Sequence, residues 1–182
     1  MKRKLLILSV LAICVAIVAA GTLAYFTAED TAHNVITSGG VDIELKEWAD
    51  EAKQTPFEDV TGIMPGVTVT KIAEIKNTGA SEAWVRVLIT KDIQLAGEVD
   101  PDLIKLGLNT TDWTLGTDGY YYYNKALKPG ETTAPILSSV TFEPTMGNEY
   151  QNAAATVDIS AQAVQTANNG TSALTASGWP AA

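Results

Sequence analysis

The side chains that most often do chemistry in proteins are scarce in this sequence of 182 residues. It contains one histidine, His33, and one cysteine, Cys14. A zinc peptidase needs about three protein ligands and a general base, and two of its histidines usually lie one helical turn apart. His33 has no histidine partner and no His-Glu-x-x-His motif around it. We therefore interpret it as an exposed loop residue.

Nucleophilic, cation-binding and phosphate-binding patterns are also missing. A nucleophilic triad needs a well-placed histidine, and Cys14 lies in an apolar N-terminal stretch. Glu98, Asp100 and Asp102 are close together, but they lack the alternating ligands and the glycine of a calcium loop. Gly39-Gly40 precedes a strand pattern and not a helix, so it is no phosphate loop. We expect no catalytic residue, no metal site and no cofactor, and hence a protein that is not an enzyme.

The N-terminus has the pattern of an export signal. Lys2-Arg3-Lys4 is followed by an uncharged run from Leu5 to Ala28. This run is long enough to cross a bilayer, which takes roughly 20 residues, so a permanent anchor is the alternative. We favour cleavage because Gly21-Thr22 would end the apolar helix and a polar, acidic chain follows. A lipid anchor is disfavoured because Ile13 precedes Cys14 where a small residue is needed.

The chain that follows the expected signal peptide, residues 1–27, is strongly acidic. The sequence has 12 basic and 21 acidic residues, and three of the basic ones lie in the signal, so residues 28–182 carry 9 − 21 = −12. Such a charge argues against nucleic acid or an anionic membrane surface as a partner. Membrane contact is expected only through the signal segment. Without cysteine, these 182 − 27 = 155 residues must be held by an apolar core, and they suffice for one domain.

A stretch in the middle of the chain has the clearest strand pattern. Apolar residues alternate over 67–75 and again over 83–89, and this period of two predicts strands. Pro65-Gly66 precedes the first arm and Asn77-Thr78-Gly79 separates it from the second, and we expect the two arms to form a pair of strands. Gly and Asn in these segments could supply the positive φ of a sharp chain reversal. Lys71 interrupts the apolar face of the first arm, and Trp84 makes the second arm apolar on both sides. A bulge near Lys71 and a second layer over Trp84 would accommodate them.

The remaining periodic segments predict an all-β fold with little helix. Proline at the start of 101–106 and apolar residues at helical spacing predict one short surface helix. Asp118-Gly119 is a strong hairpin signal. With many short strands, Gly and Pro turns and little helix, residues 28–166 are expected to form an antiparallel β-sandwich. Residues 167–182, rich in Gly, Ser, Thr and Ala, are expected to be a flexible tail. The further strand candidates are 41–46, 113–115, 120–124, 136–142 and 156–164.

Two features could bind other molecules. Four consecutive tyrosines, 120–123, should alternate across a strand, so that two pack inward and two face outward. Trp113, Tyr121 and Tyr123 are the candidates for an aromatic contact surface of a monomeric, adhesin-like module that binds a carbohydrate or protein. Packing of two tyrosines in the core and two on a sheet face is the simpler explanation.

The second feature is the first strand after the signal. Open sheet edges present unpaired N–H and C=O groups, which an extended segment of another chain can satisfy by adding itself as a strand. Val41, Ile43 and Leu45 could fill a groove of a neighbouring subunit in this way. The alternative is that the same strand pairs within its own subunit. Both can hold, because exchange swaps identical contacts between protomers.

Several of these motifs, in this order, resemble the TasA/camelysin family of exported proteins from Gram-positive bacteria. They are the basic N-terminus, the segments 21–27 and 38–43, Met64-Pro65-Gly66 and Asn77-Thr78-Gly79. The resemblance covers the signal and the sandwich to about Val164. Part of the family has been called metallopeptidase, an activity that the scarcity of ligands disfavours here.

The resemblance has four implications. A dedicated signal peptidase would cut close to Ala24, Tyr25, Phe26, Thr27 and Ala28. The sandwich would be jelly-roll-like. The protein would be secreted, at the cell surface or in the extracellular matrix, and it would serve as a structural subunit of biofilm matrix fibres. Its partners would be the signal peptidase, other copies of itself and related matrix proteins.

Overall fold

The computed structural model describes residues 35–37, 41–58, 65–94, 100–147, 150 and 154–180. All of them belong to the second of two compact units, His33–Ala182. The expected signal helix and the cleavage region Ala24–Ala28 lie outside these residues. The described strands are β1 (Val35–Thr37), β2 (Ile43–Trp48), β3 (Thr68–Asn77), β4 (Ala83–Gln94), β5 (Ile104–Leu108), β6 (Trp113–Leu115), β7 (Tyr121–Tyr123), β8 (Leu137–Phe142) and β9 (Ala154–Gln165).

The strands form two sheets, which confirms the all-β prediction. The first sheet has the order β1-β9-β4-β7-β6 and the second has the order β2-β3-β8-β5. The longest ladder joins β4 to β9 in antiparallel register from Ala83↔Gln165 to Gln94↔Ala154. Every described pairing is antiparallel except that of β1 with β9, which is parallel.

One apolar core lies between the two sheets. Ile75 and Leu137 from the second sheet and Val85 and Val87 from the first are completely buried in the same cluster. Alternation places these side chains inward along each strand, and their removal from water is the main force that holds the sheets together.

The two arms around Asn77-Thr78-Gly79 do not form the expected pair. β3 pairs with β2 and β8, whereas β4 pairs with β9 and β7, so the turn carries the chain from one sheet to the other. Buried Asn77 holds this crossing: its Nδ2 donates to the carbonyls of Ser81 and Leu127, and its Oδ1 accepts from Gly79 N. Gly79 is needed for close approach, since a Cβ there would lie 2.7 Å from Asp42 N. The expected positive φ is found at Gly66, at 80°, and not at Asn77 or Gly79.

The expected bulge near Lys71 is confirmed by a register shift between Thr70 and Ala73 against β8. Lys71 is buried, and its Nζ lies 2.6 Å from Glu47 Oε1 and 3.9 Å from the Phe57 ring centroid. The Glu47 carboxylate and the Phe57 ring thus offset the free-energy cost of burying the charge of Lys71.

The helix expected over 101–106 is corrected to a single 3₁₀ turn, Pro101–Leu103, followed by β5. Asp100 caps this turn by accepting from Asp102 N at 2.9 Å. The helix stops because Ile104 takes an extended conformation, pairs with Phe142 on β8 and is buried in the core. No helix within the described ranges is long and apolar enough to cross a membrane.

Candidate functional site

The strand-addition candidates pack inside their own subunit. Val41, Ile43 and Leu45 are buried in the core, and β2 pairs with β3 from Ile43↔Asn77 to Trp48↔Ile72. Of the two arrangements that the sequence allows, the single chain therefore adopts the internal one.

β2 nevertheless forms one border of the second sheet. Glu47 O accepts a hydrogen bond from Phe57 N at 3.0 Å, so the Glu47 backbone faces away from β3. Backbone groups alternate along a strand, which turns the N–H and C=O of Ile43 and Leu45 to the same outer side. The loop 49–58 covers only the end of this side, through the Trp48↔Pro56 bridge. In the described part of the chain, nothing pairs with the outer side of Ile43 and Leu45.

β1 borders the first sheet and is short. It lies parallel to β9 in the register Val35↔Ala161, Ile36↔Gln162 and Thr37↔Ala163. Parallel pairing is slightly less stable per residue than antiparallel pairing, and three residues provide few backbone hydrogen bonds. β1 therefore has few backbone hydrogen bonds to lose if it separates from its sheet.

The candidate aromatic surface is corrected: Trp113, Tyr121 and Tyr123 face the core. Trp113 is 1% exposed, its ring centroid is 4.9 Å from that of Tyr123, and its indole N–H donates to Ala134 O at 3.0 Å. Trp113 and Tyr123 are opposite each other on β6 and β7, so one cannot face inward without the other. The Asp118-Gly119 hairpin that joins these strands is confirmed, with Gly119 at a φ of 85°.

Tyr120 and Tyr122 face the other side of the first sheet, where they join a second apolar cluster with Trp84. Residues 166–180, which we call the C-terminal cover, pack on this cluster through Ala173, Ala176 and Trp179. The predicted second layer over Trp84 is thereby confirmed. The expectation of a flexible tail is corrected over these described residues, because Ala173, Ala176 and Trp179 pack on the sheet.

Arg86 is the polar centre of the covered face, and sequence reasoning missed it. Its side chain is nearly buried, with the guanidinium carbon 3.9 Å from the Tyr120 ring centroid and 4.7 Å from that of Trp179. Nε donates to Gln162 Oε1 at 2.9 Å, and Nη1 donates to Tyr122 Oη at 3.1 Å. The available signal was the alternation along β4, which places Arg86 on the same outward face as Trp84. A tryptophan on that face indicates a covering layer, and an arginine beside it would be covered as well.

Asp118 completes this network. Tyr122 Oη donates to Asp118 Oδ2 at 2.7 Å, and this bond lowers the pKa of Asp118 from its ordinary value, with a smaller contribution from the Arg86 charge. Burial raises the pKa of Tyr122, and the bond to the Asp118 carboxylate raises it further. Arg86, Gln162, Tyr122 and Asp118 are thus joined in one hydrogen-bonded network on the covered face.

Asn169 fastens the C-terminal cover. Its backbone carbonyl accepts from Trp84 Nε1 at 2.8 Å. Its side-chain Oδ1 accepts from Ser177 N at 2.8 Å, and its Nδ2 donates to the carbonyls of Ser177 at 3.0 Å and Gln165 at 3.1 Å. One amide therefore joins the end of β9 to the far end of the cover.

The described acidic side chains do not form a metal centre. No group of three or more His, Cys, Asp or Glu residues in the described ranges is placed to hold an ion. Of the acidic run considered above, Asp100 caps a turn, and Asp102 lies 3.1 Å from Lys91 Nζ. Glu98 and His33 lie outside the described residues.

The described residues form a two-sheet, all-β protein in which the buried cations Lys71 and Arg86 are paired with carboxylates and in which β1 and β2 are border strands. The chain belongs to the camelysin metallo-endopeptidase family, whose model matches residues 1–101. This membership confirms the TasA/camelysin resemblance. No curated protein and no solved structure matches the chain. The family description implies a metal, and the residues in the described ranges do not fit one.

Proposed function

We propose that this protein is an exported structural subunit, jelly-roll-like in fold, that assembles into extracellular matrix fibres by strand addition between copies. The observation that carries the proposal is the outer side of β2, where the backbone groups of Ile43 and Leu45 face away from their sheet and pair with no described residue. Family membership and the export pattern of residues 1–27 support it. A dedicated signal peptidase would remove that segment near Ala24–Ala28.

The leading segment that contains β1 is the strand that is exchanged. Val35, Ile36 and Thr37 are all β-branched, which suits an added strand. β1 gives up a parallel pairing of three residues to β9 when it leaves its own sheet. Added to the outer side of β2 in a neighbour, it would satisfy the N–H and C=O groups of Ile43 and Leu45. Val41, Ile43 and Leu45 would then be the acceptor edge and not the donor.

Deletion of residues 29–37 tests this assembly and leaves the buried side chains of β2 in place. The secreted chain should form filaments under the electron microscope, and the shortened chain should remain monomeric by light scattering. A matched variant keeps the length but replaces Val35→Gly, Ile36→Ser and Thr37→Gly, and it should also stay monomeric. Normal filaments from both altered chains, each with the unfolding midpoint of the parent, would overturn the mechanism.

Peptidase activity is the second function to test, because the family description names a metallo-endopeptidase. The scarcity of zinc-type ligands in the whole sequence, with a single histidine, supports a protein without this activity. Purified protein loaded with zinc should leave casein and unstructured peptides intact. Cleavage that is lost on chelation and on His33→Ala would instead establish an enzyme.

A further inference from the structure

The C-terminal cover is fastened by an asparagine whose successor is glycine. Among the asparagines of the sequence, Asn169 alone precedes a glycine. Gly170 has a φ of 67°, and a Cβ at this position would lie 2.9 Å from Thr175 O. The turn therefore requires glycine after Asn169. The segment cannot keep this geometry with another residue at position 170.

An Asn-Gly pair is chemically labile. The backbone nitrogen of the glycine attacks the side-chain carbonyl carbon of the asparagine, the carbon–nitrogen bond of the amide breaks, and ammonia leaves. Water then opens the resulting succinimide ring to aspartate or isoaspartate. Glycine favours this attack because it has no Cβ to hinder its nitrogen. No reactant other than water is required.

Conversion would remove the bonds on which the cover depends. Nδ2 of Asn169 donates to the carbonyl oxygens of Gln165 and Ser177. A carboxylate only accepts hydrogen bonds, so both donations are lost and a negative charge is placed against two carbonyl oxygens. In the isoaspartate product the backbone runs through Cβ and Cγ and is one carbon longer, so the former backbone carbonyl that accepts from Trp84 becomes a free carboxylate outside the main chain.

We propose that Asn169 is a deamidation site whose conversion releases the C-terminal cover and uncovers the aromatic face of the first sheet. The uncovered side chains are Trp84, Tyr120 and Tyr122, which the cover now buries. In the closed protein the amide is held by its hydrogen bonds, so the attack proceeds from brief openings of the cover. The fraction of molecules converted at Asn169 thus increases slowly and irreversibly as the protein ages.

Ageing of the whole protein at mildly alkaline pH tests the chemistry, with peptide mass spectrometry as the readout. Aspartate and isoaspartate should accumulate at Asn169 before Asn109 and Asn124. Trp84→Phe, which keeps a ring but removes the indole donor, should speed the conversion by roughly threefold to tenfold. Conversion at Asn169 that is no faster than at Asn109 and Asn124, or a rate that Trp84→Phe leaves unchanged, would overturn the proposal.

Hydrogen exchange tests the structural consequence. Asn169→Asp should speed exchange of the backbone amides in 166–180 by roughly tenfold to a hundredfold, with β4 and β9 still protected. Asn168→Asp is the matched control, because the same charge is added at an exposed position one residue earlier. Lowering the pH below about 3.9 should restore part of the protection in Asn169→Asp, because the protonated acid regains a donor. Equal exchange in the two variants, or in aged and fresh protein, would contradict the release.

Discussion

A single nearly buried guanidinium connects the first sheet to the C-terminal cover. Arg86 contacts Gln162 and Tyr122 by hydrogen bonds, and its guanidinium lies against the rings of Tyr120 and Trp179. Its fork of donors and its flat shape are both used, so lysine would be a poor substitute. This residue stabilises the structure through contacts that none of its sequence neighbours provides.

Arg86→Met should lower the free energy of unfolding by about 2–4 kcal/mol, because the buried Gln162 Oε1 and Tyr122 Oη lose their donor. Arg86→Lys should cost about 1–2 kcal/mol, since the charge remains while the stacking and the fork are lost. Urea unfolding measures both. Lys105→Met, at an exposed position on β5, is the control and should stay within about 0.5 kcal/mol of the parent. An Arg86→Met midpoint equal to that of the control would contradict the assigned role.

Asp118 should make the free energy of unfolding decrease at acidic pH. Its folded-state pKa lies below the ordinary value, chiefly because Tyr122 donates to it. Its contribution is therefore present above the unfolded pKa, about 3.9, and is lost as the pH falls through the lowered folded value. Urea unfolding at several acidic pH values should give a shallower acid loss for Asp118→Asn than for the parent. Asp158→Asn, at an exposed position on β9, should keep the parent slope; equal slopes in all three proteins would refute the prediction.

At the scale of elements, the C-terminal cover belongs to the fold. Ending the chain at Thr166 should lower the free energy of unfolding by about 2–4 kcal/mol, because Trp84, Tyr120 and Tyr122 become exposed to water. Thermal unfolding and the binding of an apolar dye measure the loss. Leu174→Ala is the control: Leu174 is 51% exposed, and its replacement should have little effect. A shortened chain that unfolds at the parent temperature and binds no dye would show that the cover is dispensable.

Strand periodicity made most elements predictable from the sequence, as β4 and β9 illustrate. The sheet assignment of β3 was not predictable, because a turn such as Asn77-Thr78-Gly79 can end a hairpin or carry the chain to a facing sheet. The four tyrosines at 120–123 indicated that alternate side chains face opposite sides of a strand. They did not indicate which two face the core, because all four residues are the same. The bond between Trp84 and Asn169 joins residues 85 positions apart, and no local pattern reports such a contact.

At the scale of the whole molecule, charge should control assembly. Residues 28–182 carry 9 − 21 = −12, so copies repel one another in dilute buffer. Salt screens this repulsion, with a Debye length of about 8 Å at physiological ionic strength. Filament growth followed by light scattering should therefore be faster at higher salt, whereas sucrose of equal osmolality should not reproduce the effect. Growth that slows with salt would indicate attraction between opposite charges at the contact.

The position of β9 in the first sheet governs when that sheet can form. β9 lies between β1 and β4, yet it is the last strand in the chain. During synthesis, β1 and β4 lack their shared neighbour until residue 165 has emerged from the ribosome. Distant pairing of this kind also slows folding. The first sheet therefore cannot be completed until nearly all of the described chain is available, whereas the second sheet, which lacks β9, can form earlier.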